Sequence, residues 1–381
     1  MLNDRYDVAV VGMGIVGLAH ALAASRLGLS VVVIDRERAS TGASVRNFGF
    51  VTVTGQRAGP FWRLARRARD IWIEVAEEAR IPILQYGLHV VARRPEAAAV
   101  LEAFLATEMG EGCALQTYPE FIARTRHPAL AACRAVLTSP HEVRVEPRAA
   151  VHAIVGWLRE TGRAIFLPGV AVREAGDGVV TTSVGPIAAD MIFLCPGDDL
   201  VTLYPDRIAA RSVTRCKLQM MRLSSPGVRF PAPLMSDLGL VRYAGYAELG
   251  PTRALAARLA AEQPEHLRHG VHLIAVQDAD GGLVVGDSHH YGASPDPFAS
   301  DAVDQLILEE FSLVTGLEPP KTVEHWVGTY AWSSQQDWFV ETLAPGVRLI
   351  VVTTGAGMST AFAIAEQVVA EAFGRPMAKT A

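Results

Sequence analysis

Gly12, Gly14 and Gly17 form a Gly-x-Gly-x-x-Gly run, and Asp35 follows 23 residues after the first of them. Residues of these types at this spacing can hold a dinucleotide. Gly12 lets the chain turn sharply. Gly14 lets a pyrophosphate approach the backbone, and Gly17 lets a helix lie close to a sheet. A helix starting there offers free N–H groups and a partial positive charge to phosphates. Asp35 offers a carboxylate to the hydroxyls of a ribose.

Such residues act only on a frame that brings them together. Residues 7–11 read as a buried strand and 18–27 as a helix. Gly28 falls just past the helix end, where a cap glycine belongs, and 30–34 read as a second strand. Together they make a βαβ unit. Helices are expected over 60–80, with Phe61, Leu64, Ala68, Ile71 and Val75 inward, from Pro95 to near Gly110, and over 147–160, 301–314 and 359–373. Strands are expected as a pair over 83–91 with a turn at Gly87, and over 164–167, 170–173, 179–183, 191–195, 211–223, 322–330 and 348–352. The turn Gly176-Asp177-Gly178 marks one hairpin, and 271–276 with 282–286 a second. Both chain ends are glycine-turn βα units, and the middle is richer in long strands. The fold class is therefore α/β: a Rossmann-type nucleotide domain (1–85, 141–212 and 331–381) with an inserted α+β substrate domain on a mixed sheet (86–140 and 213–330).

The chain has 381 residues, half of them hydrophobic, and a net charge of −5. That composition suits a globular enzyme and excludes a general nucleic-acid binder. Arg63, Arg66, Arg67 and Arg69 recur at helical spacing, as a solvated helix face would. No run of eighteen apolar residues suggests a membrane span. The first strand starts almost at once, so no leader is expected, and the four cysteines form no CxxC pair. A reducing, cytoplasmic setting without structural zinc is expected, and no metal-spaced cluster is seen.

Four segments in this order resemble one family: the glycine run, the loop from Gly42-Ala43-Ser44 to Asn47-Phe48-Gly49, the strand end Leu194-Cys195-Pro196-Gly197, and Gly355-Ala356-Gly357-Met358. They look like the FAD-dependent D-amino acid oxidase, glycine oxidase and sarcosine oxidase superfamily. The resemblance covers essentially the whole chain. It implies FAD held by Gly12, Gly14, Ile15, Val16, Gly17, Asp35 and Arg36. Thr41, Gly42, Ala43 and Ser44 would wrap the phosphates, with Arg46, Asn47, Phe48 and Gly49 near the flavin. Val170 would meet the adenine through its backbone. Cys195, Pro196 and Gly197 would border the cofactor. Gly355, Ala356, Gly357, Met358 and Ser359 would aim a second helix N-terminus at the flavin ring. The phrase from Arg46 to Gln56 resembles a narrower branch suspected of oxidising aminophosphonates.

Departures from the family pattern bear on the substrate. Tyr330 stands about where glycine and D-amino acid oxidases place a carboxylate-pairing arginine. No cysteine follows Cys216, so a non-covalent flavin is expected. Val284 stands where sarcosine oxidases use a lysine.

The implied chemistry is hydride transfer from a small anionic amine to flavin N5, the imine then hydrolysing to an aldehyde. Oxygen or another acceptor would reoxidise the flavin. Such chemistry needs an anion anchor and an apolar enclosure more than a triad. Arg242, Tyr243 and Tyr246 are the first candidates, an arginine fork suiting a phosphonate. Lys217 and Gln219 resemble the family's Lys-Gly-Gln strand near the flavin. His290, Tyr330 and Trp332 are further substrate-contact candidates. His289 and His290 are adjacent on a strand and should point opposite ways. Alternatives of the same fold are a glycine- or sarcosine-like amino acid oxidase and a 2-hydroxy acid dehydrogenase. A nicotinamide-dependent dehydrogenase and a non-catalytic flavoprotein stand further off. The sequence leaves the oligomer open.

Overall fold

The structure is a computed structural model and describes residues 5–375. Two sheets organise the chain. In the first, Tyr6–Val11 lies between Val31–Asp35 and Gly185–Leu194, parallel to both. Ile165–Pro168 extends the sheet beyond Val31–Asp35, and Val347–Val352 extends it beyond Gly185–Leu194, both parallel. Trp338–Ala344 closes the edge antiparallel.

Alternation along Tyr6–Val11 divides the core. Val8 and Val10 face the helices Ile15–Arg26, Pro60–Glu78, Pro147–Glu160 and Gly357–Ala372. Ala9 faces the other side, with Val32, Ile34 and Ile192, beneath the hairpin of Val172–Gly176 and Val179–Thr182. Because the strands run parallel, the glycine turn, Asp35, Cys195-Pro196-Gly197 and Gly355–Gly357 all fall at one edge of the sheet. The chain leaves Tyr6–Val11 for a strand on one side and later returns on the other. A crevice opens at that switch point.

The second sheet is mixed. In order it holds His290–Gly292, Thr214–Leu223, Leu283–Gly286, Ile274–Gln277, Leu234–Ser236, Gln85–Ala92, Ala135–Arg144 and Phe50–Val51. Thr322–Trp332 pairs with Thr214–Leu223, and a bridge from Trp332 to Thr354 reaches the C-terminal glycine turn. One face (Leu218, Met220, Ile274, Val276) turns to the crevice and to the helices Pro95–Leu105 and Thr252–Glu262. The other (Met221, Leu223, Ala275, Val285) packs on the helix Asp301–Thr315. Phe50–Val51 belongs to this second sheet, and Ala135–Arg144 runs across the expected boundary at 140.

The expected pair over 83–91 is one strand, Gln85–Ala92. Gly87, at φ +73°, makes a bulge in it, where a Cβ would stand 2.5 Å from the Ser139 carbonyl oxygen. On Pro60–Glu78, Phe61, Ala68, Ile71 and Val75 are buried as expected, joined by Trp62, Ala65, Trp72 and Ala76, while Leu64 is only half-buried. Arg63, Arg66 and Arg67 each pair with a carboxylate on another element (Glu108, Glu111 and Glu366), and Arg69 with Asp70. The strands Ala114–Thr117, Leu234–Ser236 and Trp338–Ala344 had no clear sequence pattern. Among the described residues no helix is long and apolar enough to cross a membrane.

Candidate functional site

The glycine run has the shape its residues require. Gly12 has φ +110°, and a Cβ there would stand 2.4 Å from the Cys195 carbonyl oxygen. A Cβ on Gly17 would stand 1.9 Å from the Gly12 carbonyl oxygen, and one on Gly14 would stand 3.0 Å from Ser44 Oγ. The helix Ile15–Arg26 starts directly after Gly14, earlier than its sequence pattern indicates, so the first turn faces the crevice. Ile15 N–H donates to Ser44 Oγ at 2.9 Å, which ties the loop at 41–44 to the helix start. Gly28, at φ +79°, follows the helix as expected.

Asp35 accepts from Met13 N–H at 2.6 Å and from Glu37 N–H at 2.7 Å. Both oxygens keep lone pairs for hydroxyl donors. Arg36 pairs with Asp199 at 2.6 Å instead of standing free. Val170 donates its N–H to the Asp35 carbonyl at 2.9 Å, so only its carbonyl remains for a ligand. Thr41 and Gly42 are exposed ahead of the short turn Ala43–Val45. Asn47 is engaged in shaping its own loop, donating to Ala43 O and accepting from Gly49 N–H. Gly49, at φ +66°, packs so closely that a Cβ would stand 1.8 Å from the Val145 carbonyl oxygen.

A cavity of about 440 Å³ runs from this cradle to the second sheet. Ile15, Val16, Ala43, Ser44, Arg46, Asn47, Phe48 and Gly197 line one side, and Gly355, Ala356, Gly357, Met358 and Ser359 the floor. Ser359 Oγ accepts from Thr52 N–H at 2.8 Å, and Trp72 Nε1 donates to the Met358 carbonyl at 2.7 Å. These bonds fix the start of the helix Gly357–Ala372, whose positive end meets the cavity. An extended dinucleotide fits this donor set: a glycine cradle at one end, a carboxylate beside it, and a second helix start at the other.

The far wall carries polar groups. Arg242, Tyr243, His272, Asp287, His289, Tyr291, Tyr330 and Trp332 all line it. Arg242 Nη2 donates to the Tyr291 hydroxyl at 2.7 Å, and the Tyr291 ring lies 4.3 Å from that of Trp332. No carboxylate among the described residues comes within ion-pair distance of Arg242. Burial alone would lower its pKa, but Tyr330, Tyr291 and Asp287 face the guanidinium and hold it above its ordinary value. Burial pushes Tyr243 and Tyr330 up, so both phenols stay neutral. Tyr330 stacks against the Gly355 turn, where a Cβ would stand 3.1 Å from its ring.

Four sequence candidates lie elsewhere. Tyr246 is fully buried behind the wall, against Phe104 and Gly55. Lys217, Gln219 and His290 line a second cavity on the opposite face of the sheet. Strand alternation is the cause: on Thr214–Leu223 it is Leu218 and Met220 that face the first cavity. Gln219 exchanges hydrogen bonds with the Ser300 backbone and donates to the Asp304 carboxylate at the start of Asp301–Thr315, and Lys217 donates to the Phe298 carbonyl. His290 bonds His269 at 3.0 Å, while its neighbour His289 faces the cavity. The adjacent histidines do point opposite ways. Val284 sits buried in the sheet core.

Of the group His272, Asp287 and His289, sequence reasoning named only His289, as one of an adjacent pair. The three are 15 and two residues apart in the chain, and only strand pairing collects them. Asp287, straight after an apolar strand and a glycine, was the visible signal.

A family model described as "DAO: FAD dependent oxidoreductase" matches residues 7–371. Glycine oxidase from Geobacillus kaustophilus is similar in structure, with TM-score 0.77 and 18% identity over 98% of this chain and 96% of that one. L-proline dehydrogenase from P. horikoshii gives TM-score 0.77 and 17% identity, over 98% and 95%. Iminodiacetate oxidase from Chelativorans sp. BNC1 gives TM-score 0.74 and 18% identity, over 98% and 97%. No curated protein matches the sequence.

Proposed function

The chain belongs to the FAD dependent oxidoreductase family, and from that premise we propose that it oxidises a small anionic amine. FAD is its cofactor, and when bound it supplies the hydride acceptor at N5, the imine product then hydrolysing to an aldehyde. The protein's own part is binding and enclosure. The observation that carries the reading is Arg242: a half-buried guanidinium without a carboxylate partner among the described residues, on the cavity wall opposite the glycine cradle.

Its planar fork suits a tetrahedral or carboxylate anion. The family's late-strand arginine is replaced by Tyr330, so the cation enters from another element and moves the anion away from the usual α-amino acid position. An aminophosphonate such as 2-aminoethylphosphonate or its N-methyl form has the longer reach this geometry favours. Several structural neighbours carry amine or amino acid substrates in their names, which supports the amine class.

The same reading includes a non-covalent flavin, since the cavity-lining residues include no cysteine, and oxygen as the acceptor. It also includes two discontinuous domains, 1–85, 141–212 and 331–381 for FAD and 86–140 and 213–330 for substrate; residues 1–4 and 376–381 lie outside the described residues. A cytoplasmic setting belongs to it as well, where four free thiols are stable. Anaerobic mixing of the yellow protein with amines and hydroxy acids tests it. Bleaching by an anionic amine is expected, followed by peroxide release on admitting oxygen. Bleaching by hydroxy acids alone would overturn the amine reading.

A further inference from the structure

Three buried groups on the cavity wall have no task in that reading. The backbones of His272 and Asp287 exchange two hydrogen bonds, of 2.9 and 3.2 Å, which set their side chains side by side. Asp287 Oδ1 stands 3.2 Å from His272 Nδ1, and Oδ2 stands 3.6 Å from His289 Nε2. The two imidazoles stack at 5.2 Å between centroids. His289 Nδ1 lies 2.9 Å from the Gly270 carbonyl, so that nitrogen is assigned as the donor, and Nε2 is then a bare acceptor aimed at a carboxylate. Neither ring nitrogen of His272 has a hydrogen-bond partner among the described residues, and Asp287 Oδ1 has none either.

The cluster thus holds more acceptors than donors, and all three residues are more than nine-tenths buried. Buried acceptors left in this state are costly. A ligand that brings N–H donors and positive charge completes them.

Building on the amine reading, we propose that Asp287 receives the ammonium group of the substrate and takes one proton from it, with His272 and His289 positioning the carboxylate. One N–H bond of the ammonium breaks, its electron pair stays on nitrogen, and the proton bonds to a carboxylate oxygen. The neutral amine then holds the lone pair that loss of the α-hydride requires. Arg242 and Tyr291 take the anionic end of the same molecule, so one cavity wall reads both charges of a zwitterion.

The electrostatics agree. Burial raises the Asp287 carboxyl to about 7, while the charge of Arg242 pulls the other way. Near neutral pH the group can therefore both accept and release a proton. Burial, and then Arg242, hold His272 and His289 well below the usual imidazole range, so both remain neutral. The other titratable groups packed around the cluster are Tyr243, Tyr291, Tyr330 and Cys216, each held neutral by a raised pKa. Ligand-type atoms of the three residues lie within 4.8 Å of one another, but the fixed charge of Arg242 acts on all three and disfavours a divalent ion. An ammonium that surrenders its proton escapes that repulsion.

The test is anaerobic stopped-flow bleaching of the FAD-loaded protein by 2-aminoethylphosphonate, its N-methyl form and glycine, between about pH 6 and 10. With the wild type, the second-order rate constant for the fastest of them should rise through about pH 7 and level off before the pKa of the free amine. Asp287→Asn should be slower by about a hundredfold near neutral pH. Its deficit should shrink as the medium itself supplies neutral amine, while ethylphosphonate, which lacks the amine, should bind no more weakly than to the wild type, since a carboxylate near Arg242 has been neutralised. A wild-type rate and profile in Asp287→Asn overturn the proposal alone. So does a bound divalent metal whose chelation abolishes bleaching. If Asp287→Asn does not retain FAD, the wild-type profile decides: a limb near 7 supports the proposal, and a rise only through the substrate's own pKa overturns it. A wild-type flavin that stays oxidised with every anionic amine defeats the amine reading, and this proposal with it.

Discussion

Replacing Arg242 by alanine should separate binding from chemistry. Arg242 makes one hydrogen bond, to Tyr291, and has no carboxylate partner among the described residues. Its remaining N–H donors are free for an anion on the cavity wall. Charge-assisted hydrogen bonds contribute about 1.5–3 kcal/mol each. Losing a fork of two, partly replaced by water, should cost about 2–3 kcal/mol, or roughly 30- to 150-fold in Kd. The guanidinium meets the anion equally before and during hydride transfer, so the limiting rate should stay within about threefold.

The assay is anaerobic flavin bleaching against substrate concentration, with the plateau giving the rate and the half-saturation point giving Kd. Arg242 holds the Asp287 carboxyl down, and its removal lets that group rise further. The comparison is therefore made on the alkaline plateau of each protein's own pH profile. Arg242→Lys keeps the charge but loses the planar fork, and should fall between the two, about tenfold weaker than wild type. A neutral amine of the same size should be indifferent to either change. An unchanged Kd for the anionic amine, or a loss confined to the plateau, would remove Arg242 from the binding site.

Gly17→Ala puts a Cβ 1.9 Å from a backbone oxygen, so strand and helix must separate. The purified protein should lose most of its flavin absorbance per mole and melt at a lower temperature, overpacking costing about 1–3 kcal/mol. Asp35→Ala removes the acceptor of Met13 and Glu37 N–H, and FAD titrated into apoprotein should bind about 10- to 100-fold more weakly, read by quenching of flavin fluorescence. Tyr291→Phe removes the hydroxyl that aims Arg242, and Kd for an anionic amine should rise about three- to tenfold with the plateau unchanged.

Burial lowers the His20 imidazole to about 4 from an ordinary 6.5. The folded state then favours the neutral ring while the unfolded chain takes up a proton, so this contribution to stability is present above about pH 6.5 and is lost as pH falls towards about 4. In His20→Gln the melting temperature should fall less steeply over that window. An equal slope in both proteins would show that His20 does not contribute to acid unfolding.

The glycine cradle was legible in the sequence because each part is local. A glycine spacing, a strand before it, a helix after it and an acid at the next strand end lie within 30 residues, and parallel pairing follows from the βαβ unit alone. Helices opened by Pro60, Pro95 and Pro147 were legible for the same reason. The polar cavity wall was not local. Lys217 and Leu218 are chain neighbours, yet the register of Thr214–Leu223 sends one to each cavity. Likewise His290 turns away, while His289 turns inward beside His272 and Asp287. Sequence alone pointed to a cleft of dinucleotide-binding type at the edge of a parallel sheet. Only the tertiary structure decided which charges face it, because a residue's side of a strand is set by its distant pairing partners and not by its neighbours in the chain.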